Sequence, residues 1–362
     1  MSSDSSGTDP SGTPSFGTDQ VLFERRGSLG VVTLNRPKAV NALTEPMVDG
    51  LLERLTAWAQ DDDVAQVLIQ GAGERGLCAG GDIVAIYRDI TGQAEGDASA
   101  ENPGEKTARF WRTEYKLNAL IHNYPKPYIA LMDGLVLGGG VGVSAHGSVR
   151  VVTERTRCGM PETTIGFVPD VGGTYLLSRS PGRTGVHAAL TGAHLDGSDA
   201  IFLGLADYFV PAAKLPELTA ALETEAAADV VPRFAQQPPA SVLAEQQSWI
   251  DQAYAAATAE QIVAELRNGG ADHPGYEYAA VIEAKSPTSV KVALESIRRA
   301  ARLDSLEEVL DQEYRVGTRL AAAHDMREGI RAQVVDKDRN PQWQPATLAE
   351  VSERDVAGYF GE

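Results

Sequence analysis

Residues 160–173 read MPETTIGFVPDVGG. Two carboxylates, Glu162 and Asp170, stand among proline, glycine and apolar side chains, with no Arg or Lys in the stretch to pair with. A carboxylate in such company is costly to bury unless something binds or uses it. Pro169 keeps the two acids off one regular helix, because proline lacks the helical N–H and clashes with the preceding turn. The segment therefore reads as a loop-rich wall that carries two acids. Upstream lie two glycine-rich loops, each after a buried strand: CAGGD (78–82) and LGGGVG (137–142). Glycine lets backbone N–H groups face a ligand with no side chain in the way. Two such N–H groups from separate loops, aimed at one oxygen, make an oxyanion hole. Glycine pairs alone equally mark tight turns, and the acids downstream tip the reading toward a site.

The surrounding chain alternates strand and helix. Residues 21–35 carry two short strands around a Gly-Ser turn. Residues 44–60 predict a helix, with Thr44 as cap, Pro46 in the first turn, and Met47, Leu51, Leu55 and Trp58 on one face. Buried strands are expected over 64–71, 126–134 and 149–153, and a helix over 107–124. Residues 91–106 are polar, with Gly, Asn and Pro, and read as an excursion. This alternation to about residue 210 predicts an α/β core. Beyond it the chain is rich in Ala and Glu and reads as helices. Ser286 and Pro287 open one of them, and Asp304 with Glu307 open another in a capping-box-like pair. The expected organisation is a disordered tail over 1–19, an α/β catalytic core over 20–210 and a mainly helical region over 211–362.

The totals exclude several functions. The formal net charge is −18 and no basic run is present, which argues against nucleic acid. No stretch approaches the roughly 18 apolar residues of a membrane span. Cys78 and Cys158 show no pairing pattern, so a reducing compartment is expected. The first 19 residues carry Asp4, Asp9 and Asp19 and no Arg, unlike a secretion signal or mitochondrial presequence, and the expected location is cytoplasmic.

Three motifs imitate other chemistry. GAGERG (71–76) has the dinucleotide spacing, but LCAGGD follows where a helix should open. GVGVSA (140–145) has a variant of that spacing, and residues 149–153 offer a strand before the acid at 162, but a dinucleotide unit would put a whole helix before that strand. GVSAH (142–146) departs from the nucleophile elbow G-x-S-x-G at His146, so Ser144 reads as a packing residue. The six histidines show no metal-ligand spacing. Cys78 has no evident base beside it and reads as a small buried hydrophobe.

NRPKAVNAL (35–43), CAGGDI (78–83), GGGVG (138–142) and MPETTIGFVPDVGG together resemble the crotonase, or enoyl-CoA hydratase/isomerase, superfamily. KSPTSVKVAL (285–294), VLDQEYRV (309–316) and EGIRAQVVDKDRNPQWQP (328–345) are similar to its 3-hydroxyisobutyryl-CoA hydrolase branch. The resemblance covers the chain from about residue 20 to its end. It implies a crotonase-like spiral of ββα units with a helical C-terminal region. It implies that Gly81 and Gly139 are the oxyanion-hole donors for an acyl-CoA thioester, that Glu162 and Asp170 are catalytic acids, and that Glu114 is a further substrate-contacting acid. It places Arg36 and Lys38 in the loop that binds the CoA moiety. It implies no metal and no cofactor beyond the CoA of the substrate itself, and it brings the superfamily's trimers and hexamers as the expected homo-oligomeric partner.

One departure matters. Hydratases of this superfamily carry a glutamate two residues after the GGG, where this chain has Gly142. Adding water across a double bond uses two acids, and that pair is missing. The surviving pair is Glu162 with Asp170, which suits thioester hydrolysis, as in valine breakdown. Glu162 is then a general base for water or attacks directly, and the sequence leaves both open. Asp170 or Glu114 accepts the hydrogen bond of a substrate hydroxyl. An enoyl-CoA hydratase or isomerase and a non-catalytic acyl-CoA binder are the competing readings.

Overall fold

The chain opens on a hairpin in which β1 (Val21–Arg26) pairs antiparallel with β2 (Leu29–Leu34) across Gly27 and Ser28, as the sequence predicts. The computed structural model describes residues 18–93 and 102–362. Of the tail expected over 1–19, residues 1–17 lie outside these residues, and so do residues 94–101, half of the excursion expected over 91–106. After the hairpin come α1 (Glu45–Ala59), β3 (Gln66–Gly71), α2 (Ile83–Ile90), α3 (Glu105–His122), β4 (Tyr128–Met132) and β5 (Leu135–Leu137). Then follow α4 (Gly139–Gly142), β6 (Val149–Val152), β7 (Arg157–Gly159), a 3-10 turn at Glu162–Ile165, α5 (Gly173–Ser178), α6 (Thr184–Thr191), α7 (Gly197–Phe202) and β8 (Tyr208–Phe209).

The large sheet has six strands in the order β1-β2-β3-β4-β6-β8, parallel from β2 onward. A second small sheet pairs β5 with β7 in parallel, and Cys78 bridges to Val136 beside it. After β3, β4 and β6 the chain adds a shorter piece to this second layer, Cys78, β5 and β7 in turn. That is the ββα spiral expected from the motifs.

Strand sequences explain the layering. Val32, Leu34, Val67 and Ile69 point to one face and join the main core. Leu29, Val31 and Leu68 point to the other and pack under α8 (Leu215–Leu222) and α9 (Ala227–Phe234). A parallel sheet covered on both faces needs such nearly unbroken apolar runs. Helix α1 presents Met47, Leu51, Leu55 and Trp58 to the main core as predicted. Thr44 stands at its N-terminus, but its hydroxyl turns to Gln20 Oε1 at 2.7 Å instead of capping a helix N–H.

The remaining chain adds α10 (Val242–Ala253), α11 (Ala259–Arg267), α12 (Tyr276–Glu283), α13 (Pro287–Ala300), α14 (Leu306–Ala322), α15 (His324–Ile330) and α16 (Glu353–Phe360). Ser286 caps α13 through the Ser289 N–H, with Pro287 at the first position. The cap of α14 falls one residue later than expected, on Ser305 with Glu308. DSLEE offers two overlapping capping frames, and in the Ser305 frame both reciprocal bonds form. Val290, Leu320 and Phe360 belong to the same buried cluster as Val32 and Leu55, so these helices share one core with the sheet. Among the described residues no helix is long and apolar enough to cross a membrane.

Candidate active site

Loop 35–43 builds the first wall. Asn41 is fully buried at φ +56, and its amide donates to the Ala72 and Gly76 carbonyls while its oxygen accepts from the Arg36 N–H. Leu43 then clasps the CAGGD loop, donating to the Gly80 carbonyl at 2.8 Å and accepting from Asp82 N–H at 2.9 Å. Strand β5 holds that loop from the other side through Cys78. Gly80 at φ +103 and Gly138 at φ +50 each turn the backbone just before the residue that matters. The Gly81 and Gly139 N–H groups that follow have no hydrogen-bond acceptor among the described residues. The Gly81 nitrogen lies only 3.4 Å from the point where a Cβ on Gly139 would stand. Two free amide donors from separate loops thus converge, as an oxyanion hole requires.

Three acids surround them. Gly81, Gly139, Glu114, Glu162 and Asp170 all line one cavity of about 240 Å³. Glu162 sits in the 3-10 turn, and its Oε1 lies 2.8 Å from the Cβ position of Gly138. Glu114 comes from α3, and its Oε1 lies 2.6 Å from the Cβ position of Gly139. Asp170 Oδ2 accepts from the Tyr115 hydroxyl at 2.7 Å. Glu114 Oε1 and Glu162 Oε2 are buried with no partner among the described residues. A buried polar atom left unpaired costs about 1–3 kcal/mol, which a ligand hydrogen bond offsets. Trp111 stacks on Phe167 at 5.0 Å to form the apolar wall, and Gly317 of α14 leaves room for the Phe167 ring.

No Lys, Arg or His stands among the described residues lining the cavity. Burial first, and then the charge of Asp170, push Glu162 and Glu114 well above the usual carboxylate range. Asp170 is raised to about 7 by burial, against the downward pull of the Tyr115 hydroxyl. An acid held near neutrality, as Asp170 is, suits acid–base chemistry. The turn carrying Asp170 is also strained. Val171 takes φ +53, a region that costs a β-branched residue about 1–3 kcal/mol. His146 Nε2 donates to the Val171 carbonyl at 2.8 Å and helps hold it, and burial lowers this imidazole to about 4, keeping it neutral.

The structure brings five of the seven sequence-predicted site residues into one cavity. Arg36 is occupied elsewhere, donating to the Ala42 carbonyl and pairing with Asp82 at 2.9 Å, where it braces the CAGGD loop. Lys38 is exposed on the short 3-10 turn Pro37–Ala39. Tyr115, Glu313, Met326 and Gln333 escaped the sequence reading. Met326 and Gln333 line the cavity from the helical region. Adjacency of Tyr115 to Glu114 was the one local signal.

The imitation of a nucleophile elbow resolves as packing. Ser144 is fully buried and donates to the Gly140 carbonyl at 2.6 Å. We expect Ser144→Ala to leave turnover within about threefold while costing about 1 kcal/mol of stability, the net worth of one hydrogen bond. Steady-state rates and thermal unfolding read both. A collapse of activity in the folded variant would instead make Ser144 a nucleophile. Burial pushes the Cys78 thiol up to about 12, so it is inert.

Residues 29–360 match the enoyl-CoA hydratase/isomerase family. The chain belongs to this family. A relative from Danio rerio named 3-hydroxyisobutyryl-CoA hydrolase, mitochondrial, is 42% identical, covering 94% of this chain and 89% of its own. A crystal structure described as a carnitinyl-CoA dehydratase from Mycobacterium thermoresistibile is 54% identical, with a TM-score of 0.89 and coverage of 95% and 96%. Another, described as an enoyl-CoA hydratase from Rhodobacter sphaeroides, is 39% identical, with a TM-score of 0.86 and coverage of 94% and 97%. Relatives named mitochondrial overturn the cytoplasmic expectation. The composition of the first residues is not a guide to the compartment here.

Proposed function

We propose that this protein hydrolyses the thioester of 3-hydroxyisobutyryl-CoA, or of a close small 3-hydroxyacyl-CoA, to the free acid and CoA. The thioester oxygen accepts from the Gly81 and Gly139 N–H groups. Glu162 takes a proton from water as it adds to the carbonyl carbon, or adds itself and is released by water afterwards. In either route the C–S bond breaks, the sulfur leaves as thiolate and takes up a proton, and the oxyanion returns to a carbonyl. Asp170 or Glu114 accepts the hydrogen bond of the acyl hydroxyl, which an apolar pocket would leave unpaired. No cofactor enters these steps.

The observation that carries this reading over hydration is Gly142. A Cβ there would stand 2.7 Å from Val171 Cβ and 2.8 Å from Asn118 Nδ2. The position that a hydratase of this family fills with its second acid is closed by packing. Against it stand the dehydratase and hydratase descriptions of the two similar crystal structures, so hydration is the second reading.

Incubation with 3-hydroxyisobutyryl-CoA and a thiol reagent, and separately with crotonyl-CoA, decides between them. We expect prompt thiol release from the first. Loss of enoyl absorbance from crotonyl-CoA without thiol release from either ester would sink the hydrolase reading. Tight CoA-ester binding with no turnover would leave a binding protein.

A further inference from the structure

We propose that Tyr115 and Glu313 are positioning residues for Asp170, so that helix α14 of the C-terminal part sets the aim of an acid in the cavity. This rests on the hydrolase reading above.

Tyr115 is 5% exposed and follows Glu114 on α3. Its hydroxyl donates to Asp170 Oδ2 at 2.7 Å, which fixes which carboxylate oxygen a ligand can reach. The Tyr115 ring is held edge-on to Tyr314 of α14, with centroids 6.4 Å apart. One residue earlier on α14, Glu313 is 1% exposed. It accepts from the Gly172 N–H at 2.7 Å, the Thr174 N–H at 3.0 Å and the Thr174 hydroxyl at 2.5 Å. Those donors begin two residues after Asp170, at Gly172, the second residue of the positive-φ pair Val171 and Gly172. Neighbouring positions on one helix therefore hold Asp170 twice: Tyr314 through the tyrosine, and Glu313 through the turn. Burial raises the Glu313 carboxyl to about 8, and among the described residues lining the cavity Glu313 is absent, so its bonds go to the turn.

The titratable groups facing Asp170 are Glu114 and Tyr115 from α3, Glu162 from the 3-10 turn, Glu313 from α14, and His146, which bonds the adjacent Val171 carbonyl. Three of these five, Glu114, Glu162 and Glu313, are carboxylic acids, whose ionisation opposes that of Asp170. The Tyr115 hydroxyl is the side-chain donor that favours ionised Asp170. Removing it raises the Asp170 pKa, so a rate that needs the carboxylate is lost at a higher pH than before.

The test compares the full-length wild type, Tyr115→Phe, Asp170→Asn and the double variant by thiol release across pH. We expect Tyr115→Phe to lower kcat about tenfold at neutral pH, with KM within about threefold. Its rising limb should move about one unit to higher pH, the scale of one hydrogen bond to a charged group. In the Asp170→Asn background the same change should alter the rate by less than about twofold. Equal losses in both backgrounds, or an unmoved limb, would overturn the role of Tyr115. Failure of the phenylalanine variant to fold would assign the hydroxyl to the fold and also overturn it. Glu313→Gln sets an amide among the three donors and should lose kcat in the same Asp170-dependent way. Near wild-type kcat there would overturn the second half, and Thr174→Val, which deletes a single donor, should give a smaller loss of the same kind. Should wild type release no thiol, the hydrolase reading has failed by itself. The Asp170 titration is then followed by carboxyl carbon NMR, where an unshifted midpoint in Tyr115→Phe overturns this inference independently.

Discussion

Glu162→Ala should lower turnover of the CoA thioester at least about a hundredfold, the scale of a lost acid–base group. That corresponds to about 3 kcal/mol of transition-state stabilisation. Glu162 is suited to the work because it is 7% exposed, without a partner at Oε2 among the described residues, and set beside the Gly138–Gly139 turn. Its loss should leave CoA-ester binding within a few-fold, since the donors and the apolar wall remain. The wild-type pH profile should carry the same signature. Glu162 must be ionised to take a proton or to attack. Burial and the Asp170 charge raise its pKa, so activity should fall as pH drops through a limb above the ordinary carboxylate range. In Glu162→Ala that limb should disappear from whatever rate remains. Near wild-type turnover in the alanine variant would remove Glu162 from the chemistry.

Much of this was legible in the sequence because it is local. Glycine pairs, the proline before Asp170 and the apolar strand runs are short-range signals, and the α/β class and the two donor loops follow from them. Placing Gly81 opposite Gly139 is a different matter. It depends on Leu43 clasping one loop and β5 holding both, which joins residues far apart in the chain. The support of Asp170 was invisible for the same reason. Glu313 lies 141 residues from Gly172, and nothing in DQEY marks it as a clamp instead of a helix-face charge. Arg36 shows a partner that was equally hidden. A cation near a ligand loop invites a phosphate, and nothing in NRPKA marks that it also pairs with Asp82, 46 residues on.

Gly139→Ala should lower kcat about 100- to 1,000-fold, the cost of disabling one oxyanion donor, while the protein stays folded. Gly139 does not have a positive φ, so alanine accepts its backbone conformation. The added methyl is the difficulty. It would stand 2.6 Å from Glu114 Oε1, 3.2 Å from Leu43 Cδ1 and 3.4 Å from the Gly81 nitrogen. It therefore occupies the space between the two donors and drives Glu114 away. Gly81→Ala is the informative contrast. There a Cβ meets Phe110 Cε1 at 3.6 Å and Ile86 Cδ1 at 3.8 Å, which is ordinary contact. Its methyl lies against the apolar wall, and the loss should stay within about tenfold. Rates and thermal unfolding of both variants separate the cases. Unfolding near wild type with a large kcat loss at Gly139 alone places the reacting oxygen between Gly81 and Gly139. Equal, small losses at both positions would mean that the thioester carbonyl sits elsewhere in the cavity. In that event the two converging amides would be a consequence of tight loop packing, and Glu162 would need another partner for its chemistry.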